Sequence, residues 1–148
     1  MNSKKEVMNH LLVTLFNQIL NIEEKALKKG PYNNLTINEL HVIDAIGIDH
    51  VHPMSIIASK LDVTVGTLTI AMNNLVKKGY ATRVRSEEDR RVVLVGLTTI
   101  GVEAYEHHRE FHEDMITYTV SAMNDKESDV LIEALTKITE YFNNKYLD

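Results

Sequence analysis

At Gly79 the hydrophobic period of this chain changes from 3.6 residues to 2, and that change limits the folds open to it. Before it, Thr64 is placed to cap a helix with Leu68, Met72 and Leu75 on its inward face, which Gly79 ends. After it, residues 80–85 and 91–97, rich in Val, Tyr and Thr, flank the polar run Ser86-Glu87-Glu88-Asp89-Arg90. That is the pattern of a β-hairpin. Upstream, a short helix through Ile56, Ile57 and Lys60 places Pro53 in its first turn, where a missing N–H costs nothing. A tight Leu61-Asp62-Val63 connection leads from it to Thr64. Two helices joined by about three residues suit a helix-turn-helix, and the hairpin behind them is a wing.

Long helices flank this centre. Met8, Leu12, Leu15, Ile19, Ile22 and Ala26 recur at helical spacing over residues 5–28, and Leu11, Phe16, Leu20 and Leu27 widen the stripe. So wide an apolar face is more than one small core needs. Gly30-Pro31 ends that helix. Thr36-x-x-Glu39 is a capping box for a helix with Leu40, Ile43 and Ile46 inward, closed by Gly47. Thr98 caps a long helix to about residue 122, and Asn124-x-x-Glu127 precedes a last helix with Leu131, Leu135, Ile138 and Phe142 inward. The expected fold is mainly α with a small β-hairpin wing: a single domain over 1–148, in which a winged helix-turn-helix over 36–97 lies between long terminal helices over 1–30 and 98–148.

The net charge of −5 argues against nucleic acid, but its distribution does not. Between Lys60 and Arg91 seven Lys/Arg stand against four acids, net +3, leaving 9 basic and 17 acidic residues, net −8, for the rest. A basic middle is either an electrostatic footprint for DNA or a solvated face. No cysteine occurs, which excludes disulfides, cysteine zinc fingers and a thiol nucleophile. Gly-x-Ser-x-Gly, a phosphate-cradling glycine loop and His-Glu-x-x-His are all missing, so no enzyme is expected. There is no leader-like apolar stretch and no run near the roughly 18 apolar residues of a membrane span, so the expectation is a cytoplasmic protein without a membrane partner.

A recognition helix beginning at Thr64 offers Val65, Gly66, Thr67, Thr69, Ile70, Asn73, Asn74, Lys77 and Lys78 outward, short polar donors and apolar tips of the kind that reach base edges and phosphates in a major groove. Gly66 permits close backbone approach, and the helix N-terminus favours a phosphate. The alternative is an amphipathic helix with a merely solvated polar face. Arg83, Arg85, Arg90 and Arg91 concentrate four guanidinium groups in the hairpin, suited to phosphates and a narrow minor groove. Asp89 would hold a neighbouring arginine or make an Asx-type turn.

Asp89-Arg90-Arg91-Val92-Val93-Leu94-Val95-Gly96-Leu97-Thr98, ending in Gly101, resembles the wing of the MarR family of bacterial transcriptional regulators. The resemblance covers the whole chain. It implies a homodimer assembled from the terminal helices, with two recognition helices on a pseudo-palindromic operator of double-stranded DNA and wings in the flanking minor grooves. The recognition helix together with Lys78-Gly79-Tyr80 and residues 83–93 is most similar to the FabT-type repressors of fatty-acid synthesis in Firmicutes. Glu23-Glu24, Glu39-Leu40-His41 and Phe111-His112 fit the same pattern. That subgroup implies control by a long-chain acyl group on acyl carrier protein, which strengthens DNA binding, and no required cofactor. Ile70 departs from it, standing where a small polar residue is expected; an apolar contact with a thymine methyl is one substitute.

Seven histidines are many for this length. His108 and His112 lie four apart on one helix face with Phe111 and Met115, a spacing that can place two imidazoles on one zinc ion. With His41 and either Glu23 or Glu24 they form a conceivable four-ligand set, and the same positions resemble the ligands of zinc-sensing MarR repressors. The other reading is an effector pocket lined by Leu20, Ile43, Phe111 and Met115, with His41, His108 and His112 as polar anchors. A helical ligand- or metal-binding protein that never touches DNA is the remaining alternative.

Overall fold

A computed structural model describes residues 3–147. Among them are six helices and three strands: α1 (Lys4–Lys29), α2 (Ile37–Ile46), β1 (His52–Pro53), α3 (Met54–Lys60), α4 (Val65–Lys78), β2 (Ala81–Arg85), β3 (Val93–Leu97), α5 (Thr99–Ser121) and α6 (Asp125–Tyr146). The strands form one antiparallel sheet in the order β1-β3-β2, with Arg83 and His52 both opposite Val95. The chain divides into one unit up to Glu106 and a second from His107 onward. No single helix among the described residues is long and apolar enough to cross a membrane.

In the first unit, local chemistry sets each boundary. Thr36 accepts the Glu39 N–H at 3.1 Å while the Glu39 carboxylate accepts the Thr36 N–H at 2.9 Å, so the expected capping box is complete. Ser3 and Glu6 make the same exchange at the start of α1. Between α3 and α4 the chain reverses through Asp62, whose φ of 54° is a left-handed conformation that Asp tolerates better than most residues. Thr64 caps α4 by accepting the Thr67 N–H. Gly79, at φ 88°, ends α4 in the left-handed region and turns the chain into β2.

The inward faces meet in one core. Ile43, Ile46, Ile57, Leu68, Met72, Leu75 and Val95 are fully buried there, with Leu40 and Tyr80 around them. The first turn of α5 is seated on this unit through Thr98, whose hydroxyl donates to the Gly79 carbonyl at 2.6 Å and accepts the Gly101 N–H at 3.2 Å. A Cβ at Gly101 would overlap the Tyr80 carbonyl oxygen, which gives the glycine a packing role.

Two features differ from the sequence reading. Pro53 lies just outside α3, as its N-cap, and belongs to β1, where it pairs with Leu94. The wing is therefore part of a three-stranded sheet rather than a lone hairpin, its third strand only two residues long.

The helices α1 and α6 look quite different. On α1 only Glu23 and Leu27 are buried, while Met8, Leu11, Leu12, Leu15, Phe16, Leu20 and Ile22 are exposed. On α6, in the second unit, no residue is buried, and Val130, Ile132, Leu135, Tyr141 and Phe142 are exposed. Its N-terminus is nonetheless well made, with Asn124 and Glu127 exchanging hydrogen bonds at 2.9 and 3.2 Å.

Candidate nucleic-acid interface

Leu68, Met72 and Leu75 fix the rotation of α4 by filling the core, so the opposite face is left to solvent. That face carries Val65, Gly66, Thr67, Ile70, Asn73, Asn74 and Lys77, all exposed, with Thr69 half-buried at its margin. Ile70 is 68% exposed, a large apolar side chain that no packing within the chain explains. A Cβ at Gly66 would meet nothing closer than the Thr64 hydroxyl, at 3.8 Å, so internal packing does not demand the glycine either. The hydroxyls of Thr64, Thr67 and Thr69 are occupied locally. Thr64 donates to Thr67 at 3.0 Å, and Thr69 donates to the Val65 carbonyl at 2.8 Å.

The sheet brings one wing arginine to the same helix. Arg83, on β2, donates to the Asn73 side-chain oxygen at 2.6 Å, joining wing and recognition helix through two residues expected to meet DNA. Arg85 donates to the Arg90 carbonyl at 2.8 Å across the hairpin loop. Asp89 accepts both the Arg91 backbone N–H at 3.1 Å, an Asx turn, and the Arg91 guanidinium at 3.0 and 3.1 Å. The Arg91 side-chain hydrogen bonds, followed by its backbone N–H, hold the Asp89 carboxyl below its ordinary range. Arg91 itself remains 90% exposed, so the pairing orients its guanidinium without covering it. Its partner carboxylate does lower the positive charge of the wing tip.

Lys78 differs from the expectation. It turns away from the outer face of α4 and places its ammonium 2.7 and 3.0 Å from the Glu39 carboxylate and 2.7 Å from the Asn34 carbonyl. Burial alone would raise the Glu39 pKa, but the Lys78 hydrogen bond, the hydrogen bonds with Thr36 and the Lys78 charge together leave it below its ordinary value. Tyr80 adds a 2.6 Å hydrogen bond to the Asn34 side chain. The C-terminal end of α4 is thereby tied to the start of α2. Sequence spacing missed this pairing because its partners lie 39 and 44 residues apart.

The expected effector and metal residues are distributed over the two units. In the first unit His41 Nε2 lies 3.1 Å from a buried Glu23 carboxylate, whereas Glu24 pairs with Lys28 at 3.1 Å in solvent. Glu24 is thus not the acid beside His41. Ile43 is sealed in the core, which is why it cannot line an open channel, and Leu20 is exposed. His41 does border a cavity of about 150 Å³ with Asn38, Leu61, Thr67 and Leu68, smaller than the roughly 300–1,000 Å³ of ordinary small-molecule pockets. In the second unit the ring nitrogens of His108 and His112 are 3.0 Å apart, and Phe111 packs against both rings; Met115 is half-buried. That distance fits a hydrogen bond between the rings, with the donor set by the tautomer.

A helix-turn-helix whose exposed recognition face adjoins an arginine-bearing wing defines the protein as a winged-helix DNA-binding regulator. Residues 25–108 match the family model for the transcriptional regulator SarA/Rot, and the chain belongs to that family, a MarR-like winged-helix family. It is similar to the HTH-type transcriptional regulator YpoP of Bacillus subtilis, 28% identical over 88% of this chain and 90% of that one. It is also similar to the HTH-type transcriptional regulator SarZ of Staphylococcus saprophyticus, 30% identical over 76% of this chain and 73% of that one. Among solved structures it is similar to FabT of Streptococcus pneumoniae, crystallised in complex with DNA. That match has 36% identity and a TM-score of 0.91, and covers 95% of this chain and 99% of that one.

Proposed function

We propose that this regulator is a homodimeric repressor of fatty-acid biosynthesis genes, binding a pseudo-palindromic operator and responding to long-chain acyl-acyl carrier protein. The observation that carries the DNA reading is the Arg83–Asn73 contact. It fixes the wing beside the exposed face of α4, so that groove and flanking backbone can be engaged together. The second copy is called for by the exposed apolar faces of α1 and α6, too extensive for a soluble monomer to leave in water. Fatty-acid control rests on the FabT-like recognition helix and wing and on the 36% identity to the FabT that was crystallised with DNA. An acyl chain buried between helices contributes about 0.8 kcal/mol per CH₂, enough to bias two dimer geometries that differ by a few kcal/mol.

The His108–His112 pair favours a second reading, a zinc-responsive repressor. Its nitrogens are 3.0 Å apart, near the roughly 3.3 Å that tetrahedral geometry sets between two ligands bound at about 2.0–2.1 Å. Titrating operator binding with acyl-acyl carrier protein and then with Zn²⁺ separates the two. Acyl control predicts tighter binding with the acylated carrier and no change with EDTA. Zinc control predicts loss of tight binding with EDTA or in His108→Ala, and no response to the carrier. If neither ligand changes affinity, both effector assignments fall and DNA binding alone stands.

A further inference from the structure

Away from the DNA face and from His108, the connection between α2 and α3 gathers three metal-ligating side chains within four residues. Asp49, His50 and His52 place one ligand atom each within 4.8 Å of one another. His50 Nδ1 lies 2.9 Å from one Asp49 carboxylate oxygen, and His52 Nε2 lies 3.4 Å from the other. The two imidazole rings are 4.1 Å apart, centre to centre. His52 is the fixed member, since it sits in β1 opposite Val95 and its side chain is only 12% exposed. Asp49 and His50 are exposed beside it, so an ion could enter from solvent.

We propose that Asp49, His50 and His52 form a surface site for a divalent transition-metal ion of the zinc, nickel or cobalt class. Two imidazoles and one carboxylate are the donor set such ions favour, and calcium or magnesium, which take oxygen ligands, are disfavoured. One ligand atom from each residue already lies within 4.8 Å of the others, against the roughly 3.3 Å between neighbouring ligands of a tetrahedral ion, so binding asks the three side chains to close in on the ion. His50 also borders a cavity of about 180 Å³ shared with Thr82 and Gly96, which leaves room for the water that would complete the coordination. An ion held there would fasten the loop leaving α2 to β1, and so to the sheet that carries the wing. The site shares no residue with the zinc reading above, and either one can fail without the other.

The test is an equilibrium titration with Co²⁺ as probe, followed by its visible absorption, on wild type, His50→Ala/His52→Ala, Asp49→Asn and His108→Ala/His112→Ala. The expected result is a bound Co²⁺ that survives in His108→Ala/His112→Ala. In both Asp49→Asn and the His50/His52 double variant its affinity should fall by more than the about tenfold that losing even an outer-shell partner costs. Because His50 and Asp49 are exposed, Asp49→Asn and a His50→Ala single variant keep the test valid if the double variant folds poorly. Unchanged Co²⁺ affinity and stoichiometry in Asp49→Asn and His50→Ala would overturn the assignment and leave the three residues as a hydrogen-bonded cluster.

Discussion

The central helices α2, α3 and α4 and the terminal helices α1 and α6 use the same amphipathic pattern and reach opposite results. Around α2, α3 and α4, the apolar residues of the inward faces find partners within the chain, and Ile43, Ile57 and Met72 are fully shielded from water. On α1 and α6, residues at the same spacing, such as Leu15 and Leu135, stay about half exposed. α1, α2 and α6 are equally well formed, each N-terminus closed by a capping box. Secondary structure is therefore finished in both regions, and only the core of the first is complete within one copy. In the proposed dimer, a second copy would supply what the terminal helices lack.

Damage to the unfinished face should have the most severe consequence. Leu135→Glu should leave the secondary structure intact, because the residue touches no core, yet abolish dimerisation. Operator affinity should then fall by roughly 10²–10⁴, the gain that linking two half-site contacts provides. Sedimentation and DNA titration of the same sample check both parts, and a Leu135→Glu dimer of wild-type affinity would erase the contrast between the regions. Gly101→Ala probes the finished region instead. A methyl pressed against the Tyr80 carbonyl should cost about 3 kcal/mol or more of unfolding free energy through overpacking. Chemical denaturation measures this directly.

A smaller effect, about 2 kcal/mol, is expected for Lys78→Met, which strips a charged hydrogen-bond partner from the buried Glu39 carboxylate. Its pH dependence has a definite sign. Because the Glu39 pKa is lowered in the folded protein, its contribution is fully present above the unfolded value, near 4.5, and is lost as pH falls through the folded value. Without Lys78, only the Thr36 hydrogen bonds still oppose burial, so that pKa moves upward from its value in the wild-type fold. The penalty of Lys78→Met should therefore be greatest near neutrality and shrink in acid, as Glu39 becomes protonated in both proteins. Thermal unfolding from pH 7 to pH 3 reads out the difference, and a penalty that grows with acid would exclude the pairing as its cause.

Sequence reading did best where the determinants are local. Thr36 with Glu39, Asn124 with Glu127, Thr98 and Gly79 mark helix boundaries through contacts only a few residues long, and the structure makes each of them. The inward faces of α2 and α4 were equally plain from period alone. What escaped were pairings across the chain. Lys78 looks like an outward phosphate ligand until the fold brings Glu39 beside it. β1 is too short for any alternation to show. Ile43 follows the helical pattern whether it faces a channel or a core, and only packing decides between them. For His41 the sequence left Glu23 and Glu24 both open as the neighbouring acid: His41 and Glu23 meet across 18 residues, while Glu24, one position along, faces solvent.

If α4 and the arginine wing form one DNA-binding surface on each copy of a dimer, the wing must neutralise phosphates. Fluorescence anisotropy of a two-fold symmetric operator, repeated over a series of salt concentrations, reads this out, with wild type compared against Arg90→Ala. Wild-type log affinity should fall linearly with log salt as neutralised phosphates release counterions. Removing one exposed arginine from each wing should lower the affinity on every sequence and reduce the slope by roughly 2 per dimer, about 1 for each phosphate no longer neutralised. Binding that is insensitive to salt, or a slope that Arg90→Ala leaves unchanged, would contradict a wing that lies on DNA.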